Sequence, residues 1–184
     1  MLNRNAEALF WMGRYLERAE NHARLIDVYY HFTHDGQEAD GSARAARIID
    51  ALGARQDYET LHPDMQEDAA LFFITLDRTY ANSLFSCISQ ARNNLRTLRE
   101  KLPSELWDAL NGTYLWLLDA APSNLLADSP HHFYKQVKDR ISVFWGVQHS
   151  VMMRENEWHL IGSGRYLERA ENVVRILRSV TSTS

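Results

Sequence analysis

Two stretches of the chain carry the same nine residues, and several of these residues could do chemistry. Residues 13–21 read Gly-Arg-Tyr-Leu-Glu-Arg-Ala-Glu-Asn, and residues 164–172 repeat them letter for letter. The guanidinium group of an arginine side chain binds carboxylate and phosphate groups through paired hydrogen bonds. Two carboxylates, Glu17 and Glu168, are candidate catalytic residues for general acid–base chemistry, provided that burial raises a pKa. An internal duplication and two sites held to one requirement both explain the identity.

The shared polar residues fall on one face of a helix. At about 100° per residue, Leu16, Ala19, Ala23 and Ile26 share one arc, and the polar residues lie on the opposite arc. These polar residues are Arg14, Glu17, Arg18, Glu20, Asn21 and Arg24 in the first copy, and Arg165, Glu168, Arg169, Glu171, Asn172 and Arg175 in the second. A merely solvated face is free to vary between copies. We therefore expect the two faces to pack near each other and to form one polar site.

Three interpretations of this polar site remain open. The first is a structural network in which arginines of one helix pair with Glu and Asn of the other. The second is a ligand site for carboxylate or phosphate groups. The third is a docking surface for another protein. Gly13 and Gly164 lead the motif inside predicted helices, where glycine costs about 1 kcal/mol relative to alanine, so we expect them to mark a close approach of the two helices.

The elements that must position these residues are predicted to be helices. Gly and Pro total only 12 of 184 residues, which disfavours the turn-rich all-β folds. Apolar residues recur at steps of three and four along most of the chain. The predicted helices cover residues 5–33, 42–52 with Ser42 as N-cap and Gly53 as its end, 66–80, 82–102, a stretch from 103 that a break at 122–124 ends, 130–153 with Ser129 as N-cap, and 155–180. With 53–65 as a loop, this predicts one all-α domain over residues 1–184, a bundle of six to seven helices.

Charge and composition exclude several classes of protein. The net charge of −4 and the pI of about 6.0 lack the basic signature of nucleic-acid binders. No window approaches 18 uncharged apolar residues, so we expect no membrane span and a cytoplasmic protein. The single cysteine, Cys87, lies in an apolar-patterned stretch and is interpreted as a buried hydrophobe in a reducing compartment.

The histidines and tryptophans predict no further site. His31 with His34, His131 with His132, and His159 match no metal-ligand spacing, so neither a metal nor another cofactor is expected. Four tryptophans fall on helical stripes and are predicted to lie in the core or between helices. They are Trp107, Trp116, Trp145 and Trp158. Trp11 lies toward the polar arc of the first helix and is a candidate for contact with another helix or a partner.

The repeat also carries a family resemblance. The stretch Ala-Leu-Phe-Trp-Met-Gly-Arg-Tyr-Leu-Glu-Arg-Ala-Glu-Asn at residues 8–21 resembles the bacterial alpha-E family, a helical domain of unknown function named for a recurring Glu-Arg motif. The runs at 83–111 and 133–169 extend the resemblance over nearly the whole chain, with Asn93-Asn94-Leu95 where the family usually has Glu-Asn-Ala. It implies an all-helical fold and a longer family domain, of which this chain would be a short or split form.

The resemblance also implies which proteins are encoded near members of the family. The genes of alpha-E proteins are expected next to those of ATP-grasp-type ligases, transglutaminase-like proteins and sometimes a proteasome-like peptidase. The leading hypothesis is therefore a helical accessory, scaffold or substrate-binding protein of a bacterial peptide-ligation or peptide-modification system. The alternatives are an enzyme of amide-bond chemistry that uses the paired Glu/Arg site, and a structural bundle that forms homo-oligomers.

Overall fold

The computed structural model describes residues 3–32, 40–120 and 130–181, without the side chains of residues 30–32, 179 and 180. Its described residues form eight helices and no strand, which confirms the all-α prediction. The helices are α1 (Asn3–Phe32), α2 (Gly41–Ala51), α3 (Arg55–Leu61), α4 (Glu67–Thr75), α5 (Leu84–Arg96), α6 (Ser104–Leu118), α7 (Pro130–Val151) and α8 (Asn156–Thr181).

The long first helix is the centre of the packing. α1 packs against α8, α5 and α7, and α6 closes the other side of α5 and α7. The predicted apolar stripe of α1 is buried in the core, with Leu16, Ala19, Ala23 and Ile26 fully inaccessible. α2 packs on α4 and also touches α1 and α8. The helix that carries the second copy of the repeat therefore lies on the outside of the bundle, against α1.

The helix count was predicted too low, because α3 occupies part of the predicted loop 53–65. α3 has only two turns and one buried residue, Tyr58, so it carries no apolar repeat from which a helix can be read. Tyr58 packs edge-on against Phe73, and its hydroxyl donates to the carbonyl of Asp64. Tertiary packing of one aromatic side chain thus stabilises a helix that lacks a sequence signature.

Several helix ends differ from their predicted positions. The N-cap of α2 is Asp40, whose carboxylate accepts from the amide of Ser42, so the prediction of Ser42 as cap was wrong. Gly53 does follow the end of α2, with a left-handed φ of 67°. α4 ends at Thr75 rather than residue 80, since Asp77 bonds the amide and hydroxyl of Thr79 in a local turn.

Other predicted features lie at or beyond the described ranges. α5 ends at Arg96 rather than residue 102, and Ser83 caps its start by accepting from the amide of Ser86. α7 begins at Pro130, but the predicted cap Ser129 and the predicted break at 122–124 fall outside the described residues. Among the described helices, none combines the length and the apolar character that a bilayer span requires.

Candidate functional site

α1 and α8 touch backbone to backbone at the two glycines that lead the repeat. A Cβ on Gly13 would lie closer than 3.0 Å to the carbonyl oxygen of Ile161. A Cβ on Gly164 would lie equally close to the carbonyl oxygen of Phe10. Because any side chain would separate the helices at these points, glycine is required at both. The prediction that these glycines mark a close helix approach is confirmed.

Beside this contact the two copies exchange arginine–glutamate pairs. Arg18 grips Glu168 with two nitrogens, Nε to Oε1 at 2.7 Å and Nη2 to Oε2 at 3.1 Å. Arg169 grips Glu17 in the same way, at 2.7 and 3.1 Å. Each Glu-Arg dipeptide therefore binds the other, glutamate to arginine and arginine to glutamate.

A second arginine from the opposite helix completes each pair. Arg14 donates from Nε to Glu168 at 2.7 Å, and Arg165 donates from Nε to Glu17 at 3.3 Å. We call the six residues of this exchange the Glu–Arg cluster: Arg14, Glu17, Arg18, Arg165, Glu168 and Arg169. The cluster confirms that the two polar faces meet.

The carboxylates of the Glu–Arg cluster are buried. The side chain of Glu17 is 1% exposed and that of Glu168 is inaccessible. Burial alone would raise the pKa of Glu168, but the hydrogen bonds and charges of Arg18 and Arg14 outweigh burial and hold that pKa below its ordinary value. A general acid needs the opposite shift. The geometry of Glu168 therefore suits a structural ion pair better than proton transfer.

The remaining predicted site residues lie at the edges of the cluster. Glu171 accepts from Arg14 across the interface. Glu20 accepts from Arg24 within α1, and Asn172 accepts from Arg175 within α8 at 3.2 Å. Asn21 is half-buried. Seven of the twelve predicted residues thus form bonds between α1 and α8, as a structural network would require.

Two further contacts come from parts of the chain that the sequence pattern does not connect to the cluster. Trp145 of α7 donates from Nε1 to Glu20 at 3.1 Å, and Arg165 stacks over its ring at 4.1 Å. Asn82, just before α5, accepts from Nη1 of Arg18 at 2.7 Å. No local pattern in the sequence marks these residues, because they reach the cluster only through tertiary packing.

A polar pocket of about 190 Å³ lies next to the cluster. Its polar lining consists of Arg18, His22, Asp57, Tyr80, Asn82 and Arg175. Nδ1 of the buried His22 lies 2.8 Å from the carbonyl oxygen of Arg18. Since a carbonyl only accepts, Nδ1 carries the proton and Nε2 carries a lone pair. Burial is the main cause that lowers the pKa of His22, to about 4, so the ring is neutral near pH 7.

The other candidate residues named from the sequence lie away from the Glu–Arg cluster or at its margin. Trp11 is partly exposed and contacts Tyr15, at 5.6 Å between ring centroids, and Arg14. Cys87 is buried in the core, as predicted. His131 bonds Asp27 at 2.6 Å. The pair His31 and His34 lies outside the residues whose side chains are described. Within the described part of the chain, no group of His, Cys, Asp or Glu is arranged to hold a metal ion.

The family comparison agrees with this geometry. Residues 1–184 match the model of the Alpha-E family, described as a predicted alpha-helical domain with a conserved ER motif. The chain belongs to the Alpha-E family. Its two Glu-Arg dipeptides, Glu17-Arg18 and Glu168-Arg169, are the ones that bind each other across α1 and α8.

Three mycobacterial relatives of this Alpha-E chain carry the name uncharacterized protein. Proteins of Mycobacterium bovis and of two strains of Mycobacterium tuberculosis are 27% identical to it over 192 residues. The match covers 95% of this chain but only 22% of each relative. No solved structure matches the chain at a significant level.

Proposed function

We propose that this Alpha-E chain is a helical scaffold that docks a partner protein in a bacterial peptide-ligation or peptide-modification system. The partner would be an ATP-grasp-type ligase or a transglutaminase-like protein, or the peptide that they act on. A cytoplasmic location is part of the proposal. The choice of system rests on the neighbouring proteins that the family resemblance implies. The docking role rests on the surface of α8.

The observation that carries the docking role is the division of α8 into two faces. One face is fastened to α1 by the Glu–Arg cluster. The other is apolar and exposed, although a solvated helix face is ordinarily polar. We call this exposed face the α8 stripe, and its residues are Tyr166, Leu167, Ala170, Val173, Val174 and Leu177. Exposed apolar patches on soluble domains commonly mark protein interaction sites.

The Glu–Arg cluster supports a scaffold better than it supports an enzyme. Glu17 and Glu168 are enclosed by four arginines of the opposite helices, which leaves little room for a substrate between them. The lowered pKa of Glu168 keeps that group charged. The same contacts hold α8 rigidly against α1, which is what a docking surface requires.

Binding of purified partners tests the proposal. An ATP-grasp-type ligase and a transglutaminase-like protein of the same host, expected from the family resemblance to be encoded near this chain, would be titrated against the immobilised wild-type chain by interferometry. We expect at least one to bind, and we expect Leu167→Asp to weaken it about tenfold or more, since one desolvated apolar anchor contributes about 1–3 kcal/mol. Leu115→Asp is the matched control, because Leu115 is exposed on α6 to a similar degree. If neither protein binds the wild-type chain, the proposed system is wrong.

A further inference from the structure

The polar pocket next to the Glu–Arg cluster is built by several separate parts of the chain. Its lining comes from α1, α3 and α8, from the turn after α2 and from the segment before α5. Its volume of about 190 Å³ is below the range of about 300–1,000 Å³ that is usual for pockets that hold drug-sized molecules. The polar pocket therefore suits a molecule the size of a small metabolite.

The buried His22 presents a hydrogen-bond acceptor to this pocket. Its Nδ1 donates to the carbonyl of Arg18, which leaves a lone pair on Nε2. The residue is 3% exposed, and Nε2 has no hydrogen-bond partner among the described residues. Nε2 is not one of the polar atoms that are sealed inside the fold without a partner, so it faces the pocket that the ring lines. An acceptor in this position selects a ligand that carries a hydrogen-bond donor.

Arg175 brings a positive charge to the pocket that no carboxylate of the described residues pairs with. The half-buried side chain bonds only the neutral amide of Asn172. The repeat counterpart of Arg175 is Arg24, which pairs with Glu20 one turn before it. Glu171, the counterpart of Glu20, pairs with α1 instead. An arginine at a pocket wall without a carboxylate partner favours an anionic ligand, which it can bind through two parallel N–H groups.

Asp57 brings the opposite charge to the same pocket. Its carboxylate forms no ion pair or hydrogen bond with the described residues, so Asp57 and Arg175 line one pocket without contacting each other. A carboxylate only accepts hydrogen bonds, as does Nε2 of the neutral His22. An anion alone would leave both acceptors without a donor, and a cation alone would leave Arg175 without a counter-charge. The lining therefore matches a ligand that carries a carboxylate and an ammonium group together.

We propose that the polar pocket binds a free α-amino acid. The carboxylate of the ligand bonds Arg175, and its ammonium group donates to Nε2 of His22 and to Asp57. An α-amino acid carries both charged groups on one carbon atom, which fits the small volume of the pocket. This inference goes beyond the docking role proposed above and does not depend on it, because none of these residues belongs to the α8 stripe.

Isothermal titration calorimetry of the full chain near pH 7 tests this inference. The common L-α-amino acids are titrated one at a time, and we expect at least one to bind with one-to-one stoichiometry. Arg175→Gln should weaken that binding about tenfold or more, because it removes a charged donor pair. Arg24→Gln is the matched control, since Arg24 is the repeat counterpart of Arg175 and does not line the pocket, and it should leave the affinity unchanged. Circular dichroism confirms that both variants are folded.

Three analogues of the amino acid that binds most tightly test its charged groups. The amide analogue lacks the carboxylate, the N-acetyl derivative lacks the ammonium charge, and the 2-hydroxy acid has a neutral hydroxyl in place of the nitrogen. Each should bind about tenfold more weakly or worse. In nitrogen NMR spectra of the histidine-labelled chain, the amino acid should shift the Nε2 resonance of His22, because that atom accepts a new hydrogen bond.

The outcomes also separate this inference from the proposed function. If no amino acid binds, the pocket holds solvent only and the inference is wrong. Equal affinity of Arg175→Gln and wild type, equal affinity of any analogue, or an unshifted His22 resonance likewise overturns it. None of these results bears on the docking role, which is tested separately by partner binding and Leu167→Asp.

Discussion

Gly13 and Gly164 each lie against the backbone of the other glycine's helix. The carbonyl that Gly13 meets belongs to Ile161, and the one that Gly164 meets belongs to Phe10. Each carbonyl lies three residues before a glycine, so the contact is reciprocal. Because neither glycine has a side chain, α1 and α8 lie close together at these points. At this separation the guanidinium groups of Arg18 and Arg169 can each bond a glutamate of the opposite helix.

Alanine at either glycine should therefore destabilise the fold. The added methyl of Gly164→Ala meets a backbone carbonyl that cannot rotate away, and overpacking of this kind costs about 1–3 kcal/mol. Gly162→Ala in the same helix is the control, because nothing lies within 4 Å of its Cβ. The control should gain about 0.5–1 kcal/mol from helix propensity. Urea unfolding of both variants decides this, and equal stability would contradict the close approach.

The Glu–Arg cluster should contribute strongly to stability. Glu168→Gln leaves Arg14 and Arg18 without their carboxylate in a buried place, and breaking such a pair costs about 3–5 kcal/mol. Glu171→Gln removes a carboxylate that also pairs with Arg14 but is about half exposed, so it should cost less than about 1 kcal/mol. Denaturant midpoints give the comparison. If both variants lose a similarly small amount of unfolding free energy, the Glu–Arg cluster does not contribute strongly to stability.

The identity of the two nine-residue stretches indicated that the two faces meet. A polar face that is repeated letter for letter implies fixed partners, and the small residue at its head implies contact. The partners themselves were not readable in the sequence. Pairing each glutamate with the arginines of the other copy depends on the crossing of α1 and α8, which no local pattern encodes.

The parts of the fold that the sequence did not predict depend on single tertiary contacts. α3 forms around Tyr58, which packs on Phe73 and lacks a periodic neighbour in the chain. Trp145 was predicted to be a core or inter-helix residue, but its bond to Glu20 is set by how α7 crosses α1. Periodicity detects amphipathic helices of several turns, but it does not detect a two-turn helix such as α3, and it does not indicate which side chains contact each other.

The thiol of Cys87 should be unreactive in the folded protein. Burial raises its pKa to about 12, and the side chain is inaccessible. Because it is the single cysteine of the chain, Ellman's reagent reports on this site alone. At pH 8 we expect full labelling in denaturing urea and labelling at least tenfold slower in buffer, at a rate set by opening of the core. Prompt labelling of the native chain would show that the α1–α5 core is open.

The neutral state of His22 predicts a loss of stability in mild acid. The pKa of His22 is about 4 in the fold, against an ordinary value of 6.5, so the unfolded chain binds the extra proton between these values. Stability therefore falls as the pH decreases through this window, by about 2 kcal/mol between pH 7 and pH 5 for this one group. Arg18 and Arg175 lie near the ring and add to the cost of charging it.

Replacing His22 isolates this contribution. His22→Gln keeps a polar group that can donate to the carbonyl of Arg18 but has no titration in this range. Urea unfolding of wild type and variant at pH 7 and pH 5 should show the wild type losing about 2 kcal/mol more than the variant. Glu168 and Asp27 have lowered pKa values, so they weaken the fold in the same direction but mainly below pH 4.5. If both proteins lose the same amount between pH 7 and pH 5, His22 is not a buried neutral group, and the polar pocket beside it is open to water and protons.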